Sequence, residues 1–262
     1  MKNPSNHKIA ALALLGVATF QLATNSSFAQ TVTNAFDKAS NPAYSGGNFD
    51  TGYNGGFGFG AWTLSTSGGG HYVGGGGNFG LWNNGFGAGT GSFATRPFNS
   101  SLAVGQTFSI SLEMGHLNGS LEHAGFNLED NSGNVLFSYW QQGGNNPDGN
   151  YLDANGAGTA TGFAYDFNKM DSFAFTLNSL TSYTFSDLTT GNSLTGILSG
   201  IAIAQVQVFR ANLAGDPATG GGGGTDFLFN NLSLTTVPEP SSVALAGISG
   251  VGMLLALRRR MR

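Results

Sequence analysis

Glycine accounts for 43 of the 262 residues and phenylalanine for 21, while charged residues together reach only 9%. Glycine lowers helix stability by about 1 kcal/mol relative to alanine, whereas aromatic and β-branched side chains fit a pleated, half-buried surface. The mixture selects sheets. From Gln106 onward, Phe108, Ile110, Leu112 and Met114 alternate with Thr107, Ser109, Ser111 and Glu113, a period of two with one apolar and one polar face. Ala124, Phe126 and Leu128 repeat the pattern, residues 129 to 134 form a turn, and Val135, Phe137 and Tyr139 resume it, which predicts a hairpin. Phe173, Phe175 and Leu177 form another strand, and Tyr183 and Phe185 lead through the turn at 187 to 192 toward Leu194, a second hairpin. The apolar phase slips near Gln205 and again at Asn230 and Asn231, and each slip predicts a bulge.

Many short strands with frequent turn signals imply an all-β fold, an antiparallel β-sandwich of jelly-roll type. Glycine concentrates between residues 46 and 91, interleaved there with Tyr53, Phe57, Phe59, Trp62, Tyr72, Phe79, Trp82 and Phe86, which predicts short strands joined by glycine loops. Residues 220 to 224 are glycine alone and read as a surface loop. The closing segment Asp226 to Leu234, with its Phe-Asn-Asn element, resembles the terminal strand of concanavalin-like and carbohydrate-binding-module sandwiches. Asn230 stands where those domains often carry aspartate.

The termini read as addresses. Lys2 and Lys8 precede an apolar stretch from Ile9 to Leu22, and Ser27, Phe28 and Ala29 form a small-residue cleavage site, so residues 1–29 are expected to be a secretory signal peptide removed by signal peptidase. At the other end Val237, Pro238, Glu239 and Pro240 precede an apolar run from Val243 to Leu257, then Arg258, Arg259 and Arg260. The arginines act as a membrane stop, because basic residues stay on the cytoplasmic side. The run is short and broken by Gly247, Gly250 and Gly252, which suits a temporary hydrophobic helix better than a permanent anchor. This tail, residues 237–262, resembles the PEP-CTERM sorting signal of Gram-negative, often biofilm-forming bacteria. The resemblance implies processing by an exosortase, transient insertion in the inner membrane, and a final place in the cell envelope or outside it, often beside exopolysaccharide.

Between the targeting segments, residues 30–236 are expected to form one glycine-rich domain. The chain has no cysteine, which excludes disulfides, thiolate metal sites and cysteine nucleophiles. Only Lys38, Arg96, Lys169 and Arg210 are basic there, against thirteen acidic residues, a net charge of −9. A basic patch for nucleic acid cannot be assembled.

Candidate chemistry falls into four groups. Glu113, His116, Glu122 and His123 are the densest titratable cluster: paired carboxylates serve glycoside cleavage, and two histidines suit zinc, but the same residues also decorate a solvated hairpin end. Asp148, Asn150, Asp153 and Asn155 offer oxygen ligands for calcium, or simply build an Asx-rich loop. Asp130 and Asp187 are read as turn residues. Sugar rings stack on flat apolar faces, so Trp62, Tyr72, Trp82, Tyr139 and Trp140 are candidates for glycan contact; Trp140, followed by Gln141 and Gln142, combines stacking with amides, and core packing is the competing role. No Gly-x-Ser-x-Gly elbow, phosphate loop or dinucleotide fingerprint is present. The expectation is a non-catalytic exported protein without an obligate cofactor that contacts exopolysaccharide. The alternatives are a polysaccharide-active enzyme, which needs Glu113 and Glu122 in one cleft, and a self-associating matrix protein.

Overall fold

The computed structural model describes residues 30–47, 49–84, 89–117, 122–143, 148–164, 166, 168–212 and 226–237. The signal peptide, the glycine run at 220 to 224, and the sorting tail from Pro238 through Arg258, Arg259 and Arg260 lie outside the described residues. Among those described, no helix is long and apolar enough to cross a membrane.

Residues Val32–Thr236 form one compact unit. In chain order its strands are β1 (Val32–Asp37), β2 (Thr63–Ser67), β3 (Gly69–Val73), β4 (Phe79–Asn83), β5 (Gly91–Pro97), β6 (Gln106–Glu113), β7 (Glu122–Glu129) and β8 (Val135–Gln142). They continue as β9 (Asp148–Asp153), β10 (Gly156–Ala164), β11 (Asp171–Ser179), β12 (Ser182–Asp187), β13 (Ser193–Ile197), β14 (Gln205–Asn212) and β15 (Phe227–Thr236). A short 3-10 helix, Pro42–Gly47, follows β1. The first sheet runs β13-β12-β11-β6-β15-β4-β3, with β1 also paired to β15; the second runs β10-β9-β8-β7-β14-β5-β2. Every pairing is antiparallel, and the two sheets form the expected β-sandwich.

Both predicted hairpins are present, and their turns show why. Asp130 Oδ1 accepts from the Ser132 and Asn134 backbone N–H at 2.8 and 2.9 Å. Asp187 accepts from the Thr189 N–H and the Thr190 hydroxyl at 2.8 and 2.7 Å. Each carboxylate supplies the acceptors that a tight reversal needs. The slip at the two asparagines is a bulge between Asn230 and Ser233, where Asn231 takes φ 53°. The slip at Gln205 is not. β14 pairs without interruption on both sides, and residues 201 to 204 simply precede it, so the phase change marks the start of a strand.

Alternation sends the apolar phase of each strand inward, where rings from the two sheets meet. Phe137 of the second sheet lies 4.9 Å from Phe175 of the first, and Tyr139 lies 4.8 Å from Phe173. A second cluster joins Tyr44, Phe49, Trp62, Phe79 and Phe229. Such pairs contribute about 0.5–1.5 kcal/mol each beyond their buried area.

Beside that cluster sits a buried polar knot. Arg96 of β5 pairs with Asp37 of β1, and both side chains are fully buried. The Tyr44 hydroxyl donates to Asp37 and accepts from Arg96 (2.7 Å), Trp62 Nε1 (3.0 Å) and the Gly55 N–H (2.9 Å). Arg96 also donates to Asn54 Oδ1 and the Gly55 carbonyl, each at 2.7 Å, and its guanidinium lies 4.8 Å from the Trp62 ring. Burial pushes the Asp37 carboxyl up, although Arg96 pulls it the other way. Removing one partner of a buried pair leaves an uncompensated charge at a cost of about 3–5 kcal/mol. Arg96→Met is therefore expected to lower the urea midpoint by that equivalent, and adding Asp37→Leu is expected to recover much of the loss.

Candidate functional site

The three tryptophans occupy three different environments. Trp62 is 1% exposed inside the core, its indole N–H spent on Tyr44, so it presents no face to a sugar. Trp82 faces outward on the first sheet, since Phe79 and Leu81 take the inward phase of β4. It lies over Gly70, while Tyr72 lies over Gly80, each ring occupying the space a cross-strand side chain would fill. Trp140 is half-buried on the outer face of the second sheet.

Cross-strand register assembles a surface around Trp140. Directly across the sheet, one row reads Asn150, Trp140, Gly125, Phe209, Phe93 and Ser65. The next row reads Leu152, Ser138, Asn127, Gln207, Thr95 and Thr63. Trp140, Phe209 and Phe93 are all half-buried, so each keeps part of a ring in solvent. Strand spacing sets Trp140 and Phe209 about 10 Å apart, with Gly125 between them. Only glycine fits there, because a Cβ would stand 2.0 Å from the Tyr139 carbonyl oxygen. The polar row is pre-ordered: Asn127 Nδ2 donates to Gln207 Oε1 (3.2 Å), and Gln207 Nε2 donates to Thr95 Oγ1 (3.3 Å). Beyond it Gln205 Nε2 donates to Glu129 Oε2 at 2.8 Å.

Three buried polar atoms beside this surface have no hydrogen-bond partner among the described residues: Trp140 Nε1, His123 Nε2 and Asn150 Nδ2. His123 stands opposite Gln142, to which it is hydrogen-bonded, and its ring lies 6.0 Å from that of Trp140. Burial lowers the His123 pKa, which keeps the imidazole neutral near pH 7. An unsatisfied buried polar group costs about 1–3 kcal/mol, and such groups gather where structure is held for another purpose.

Other expectations are redistributed. Gln141 follows Trp140 in sequence but points to the opposite face: it is 1% exposed and donates Nε2 to the Tyr139 hydroxyl at 3.0 Å. Tyr139 is likewise core. Residues 148 to 153 are strand β9 rather than a loop, which splits the calcium quartet. Asn150 lies opposite Trp140 on the outer face, whereas Asp153 turns inward to accept from Tyr183 Oη (3.0 Å) and the Ile197 N–H (3.1 Å), and through Oδ1 from the Asn155 N–H (2.8 Å). Asp148 shares the outer phase with Asn150, so the four do not converge on one ion. Among the described residues no three His, Asp or Glu side chains form a metal cluster. Glu113 faces outward on the first sheet, while Glu122 on the second is paired with Arg210 at 2.7 Å. Glu113 and Glu122 therefore come from different sheets. The aromatic partners Phe209 and Phe93 and the polar flank were missed, although their alternation along β14 and β5 was legible.

Comparison with known proteins places the address. Residues 236–260 match the PEP-CTERM protein-sorting motif. The tail is a PEP-CTERM signal. It implies export, transient membrane anchoring and processing by an exosortase-type enzyme. Val237, where the sorting tetrapeptide begins, is exposed. No curated protein matches the chain. Among solved structures it is similar to a GlcNAcα1-4Gal-releasing endo-β-galactosidase from Clostridium perfringens, with 9% identity, a TM-score of 0.53, and coverage of 82% of this chain and 64% of that one. It also aligns with the CBM2 module of the evolved Dit of Lactobacillus casei BL23 phage J-1 (14% identity, TM-score 0.47, 79% and 98% coverage). A third match is the T. cruzi calreticulin globular domain (9%, 0.46, 88% and 100%). At 9% identity the likeness to the endo-β-galactosidase is one of fold. The chain spans 64% of the endo-β-galactosidase, less than two thirds of its length.

Burial also sets a pH response on this face. Glu129 is 2% exposed, and its carboxyl is pushed above its ordinary value of 4.5 chiefly by desolvation. A raised folded pKa gives stability that is complete below the unfolded value and lost as pH rises through the folded one. Glu129→Gln is therefore expected to raise the thermal midpoint relative to the parent at pH 7, with the difference vanishing below about pH 4.5 in calorimetric scans.

Proposed function

We propose that this protein is an exported, non-catalytic module that holds a neutral polysaccharide, the exopolysaccharide of its own cell surface, on the outer face of the second sheet. Signal peptidase releases the N-terminus, the exosortase-type enzyme processes the tail, and the domain acts in the envelope or the surrounding matrix. One observation carries the binding reading: the row of half-exposed rings, Trp140, Phe209 and Phe93, laid beside the hydrogen-bonded row of Asn127, Gln207 and Thr95.

The physical fit is to a flat, hydroxylated, uncharged chain. Pyranose faces stack on aromatic rings, and their hydroxyls exchange hydrogen bonds with amides whose geometry is already fixed, which lowers the ordering cost of binding. Four basic against thirteen acidic residues in the domain disfavour a polyanionic glycan. A chain laid across the strands contacts Trp140 and Phe209 together.

Affinity electrophoresis through gels containing the producing organism's exopolysaccharide tests this. The purified protein is expected to be retarded, Trp140→Ala to lose roughly ten-fold or more in affinity, Phe209→Ala to lose less, and Trp82→Ala to migrate as the parent. Unchanged mobility of the parent in every gel refutes the reading and favours a self-associating matrix protein.

A further inference from the structure

The large apolar side chains left exposed on this domain are not scattered. Among the described residues nine are exposed, and six of them, Val32, Val104, Val135, Leu180, Ile197 and Ile201, gather at one end of the sandwich. Register places them there. Val32 pairs with Thr236 and Thr236 with Gln106, so the start of β1, the end of β15 and the start of β6 lie side by side, just past Val104. Thr107 pairs with Thr176, which brings the turn after β11, with Leu180, to the same end, and Ile197 pairs with Ser182 beside it. In the second sheet Gln205 pairs with Glu129, and Glu129 with Val135. Two connections cross from sheet to sheet here, residues 98–105 and 198–204, and carry Val104 and Ile201; the Leu102 N–H donates to the Ile203 carbonyl at 2.8 Å, joining one to the other. Of the other three, Val237 directly follows β15, Phe57 sits beside β1 across from Phe36, and Leu188 lies at the opposite end, after β12. Single exposed apolar groups are ordinary, but a gathered set rimmed by polar residues marks an interaction surface.

Charge is distributed the other way. Glu113, Asp148, Asp166 and Asp226, all at least partly exposed, stand at the opposite end, where β6 finishes and β9, β11 and β15 begin. At the apolar end Glu129 and Asp153 are buried, and the exposed Asp130 commits its carboxylate to its own turn. No exposed Lys or Arg among the described residues lies there. Anionic lipid repels the acidic end and leaves the neutral end free to approach.

The chain leaves the domain at Thr236, at this same apolar end, and the apolar run of the sorting tail begins seven residues on, at Val243. That length of chain reaches at most about 25 Å. The nine residues of β11 set the acidic end about 30 Å further off. We propose that, while the tail holds the protein to the membrane, the end bearing Val104, Leu180, Ile197 and Ile201 rests on the phospholipid bilayer with the strands upright. Apolar side chains of such a surface enter the boundary between headgroups and acyl chains by about 5–10 Å. Ser132, Ser179, Thr181 and Ser199 stand among them and suit the polar headgroups. An upright domain keeps the outer face of the second sheet clear of the membrane, but the inference does not rest on the glycan reading.

Because the chain has no cysteine, a single introduced one carries the only reporter. Leu180→Cys, Ile201→Cys and, at the acidic end, Leu188→Cys are each labelled with an environment-sensitive NBD fluorophore in the full-length protein. Leu180 and Leu188 are 55% and 57% exposed, so the comparison is matched and neither change disturbs the core. Vesicles of phosphatidylethanolamine and phosphatidylglycerol that carry the protein by its tail are recovered by flotation. With nitroxide-bearing lipids included, the labels at 180 and 201 are expected to lose roughly half or more of their emission, since a depth of about 5–10 Å brings them within reach of the nitroxides. The label at 188 is expected to keep its emission. Equal quenching at 180 and 188, or none at 180 and 201, overturns the proposal. So does a label at 180 that is shielded from aqueous iodide yet untouched by the nitroxide lipids, the pattern of a second copy of the chain covering this end.

Discussion

A buried union of Arg96, Asp37 and Tyr44 sets how the two sheets pack. It joins β5 of the second sheet to β1 of the first and draws in the loop before β2 through Trp62 and Gly55. A glycine-rich segment has little side-chain surface with which to define its own path. Residues 52 to 62 are instead positioned by what they give to the knot: the Asn54 amide oxygen, the Gly55 carbonyl and N–H, and the Trp62 indole. Buried ion pairs contribute little net stability against an apolar substitute, but they penalise any arrangement that separates the partners. Here that penalty fixes one packing of the two sheets without a disulfide.

The division of labour among aromatic residues follows from that frame. Inward rings of the two sheets interlock, so the second sheet is held rigid from beneath, and its outer face need not contribute to the core. That freedom leaves Trp140, Phe209 and Phe93 half in solvent on a flat, ordered support. Sites on rigid strands hold their geometry better than sites on loops. The hydrogen-bonded run of Asn127, Gln207 and Thr95 extends the same logic to polar groups.

Much of this fold was legible because strands write themselves into sequence with a period of two. The hairpins over β7–β8 and β12–β13 were visible in that alternation and in Asp130 and Asp187, whose carboxylates close the turns. The bulge at Asn230 was legible for the same reason, whereas the slip at Gln205 was ambiguous, since a strand start and a bulge both shift the phase. The site was only half legible. Trp140 could be placed opposite Phe137 and Tyr139, yet its working neighbours, Asn150, His123 and Phe209, come from other strands through register that no local pattern encodes. Gln141, adjacent in sequence, proved to be core because adjacency along a strand means opposite faces. Asp153 looked like a ligand for the same local reason, and is instead committed to Tyr183 and Ile197 across the sandwich.

Recognition at Trp140, and not at the other two tryptophans, can be read in a single experiment. Three tryptophans give three indole N–H resonances, so a ¹H–¹⁵N spectrum of the labelled protein, titrated with fragments of the native exopolysaccharide, reads all three environments at once. The Trp140 resonance is expected to shift progressively to saturation while those of Trp62, sealed in the core, and Trp82, on the far sheet, stay in place. Movement of Trp82 alone, or no movement of Trp140 when the polysaccharide demonstrably binds, would contradict it.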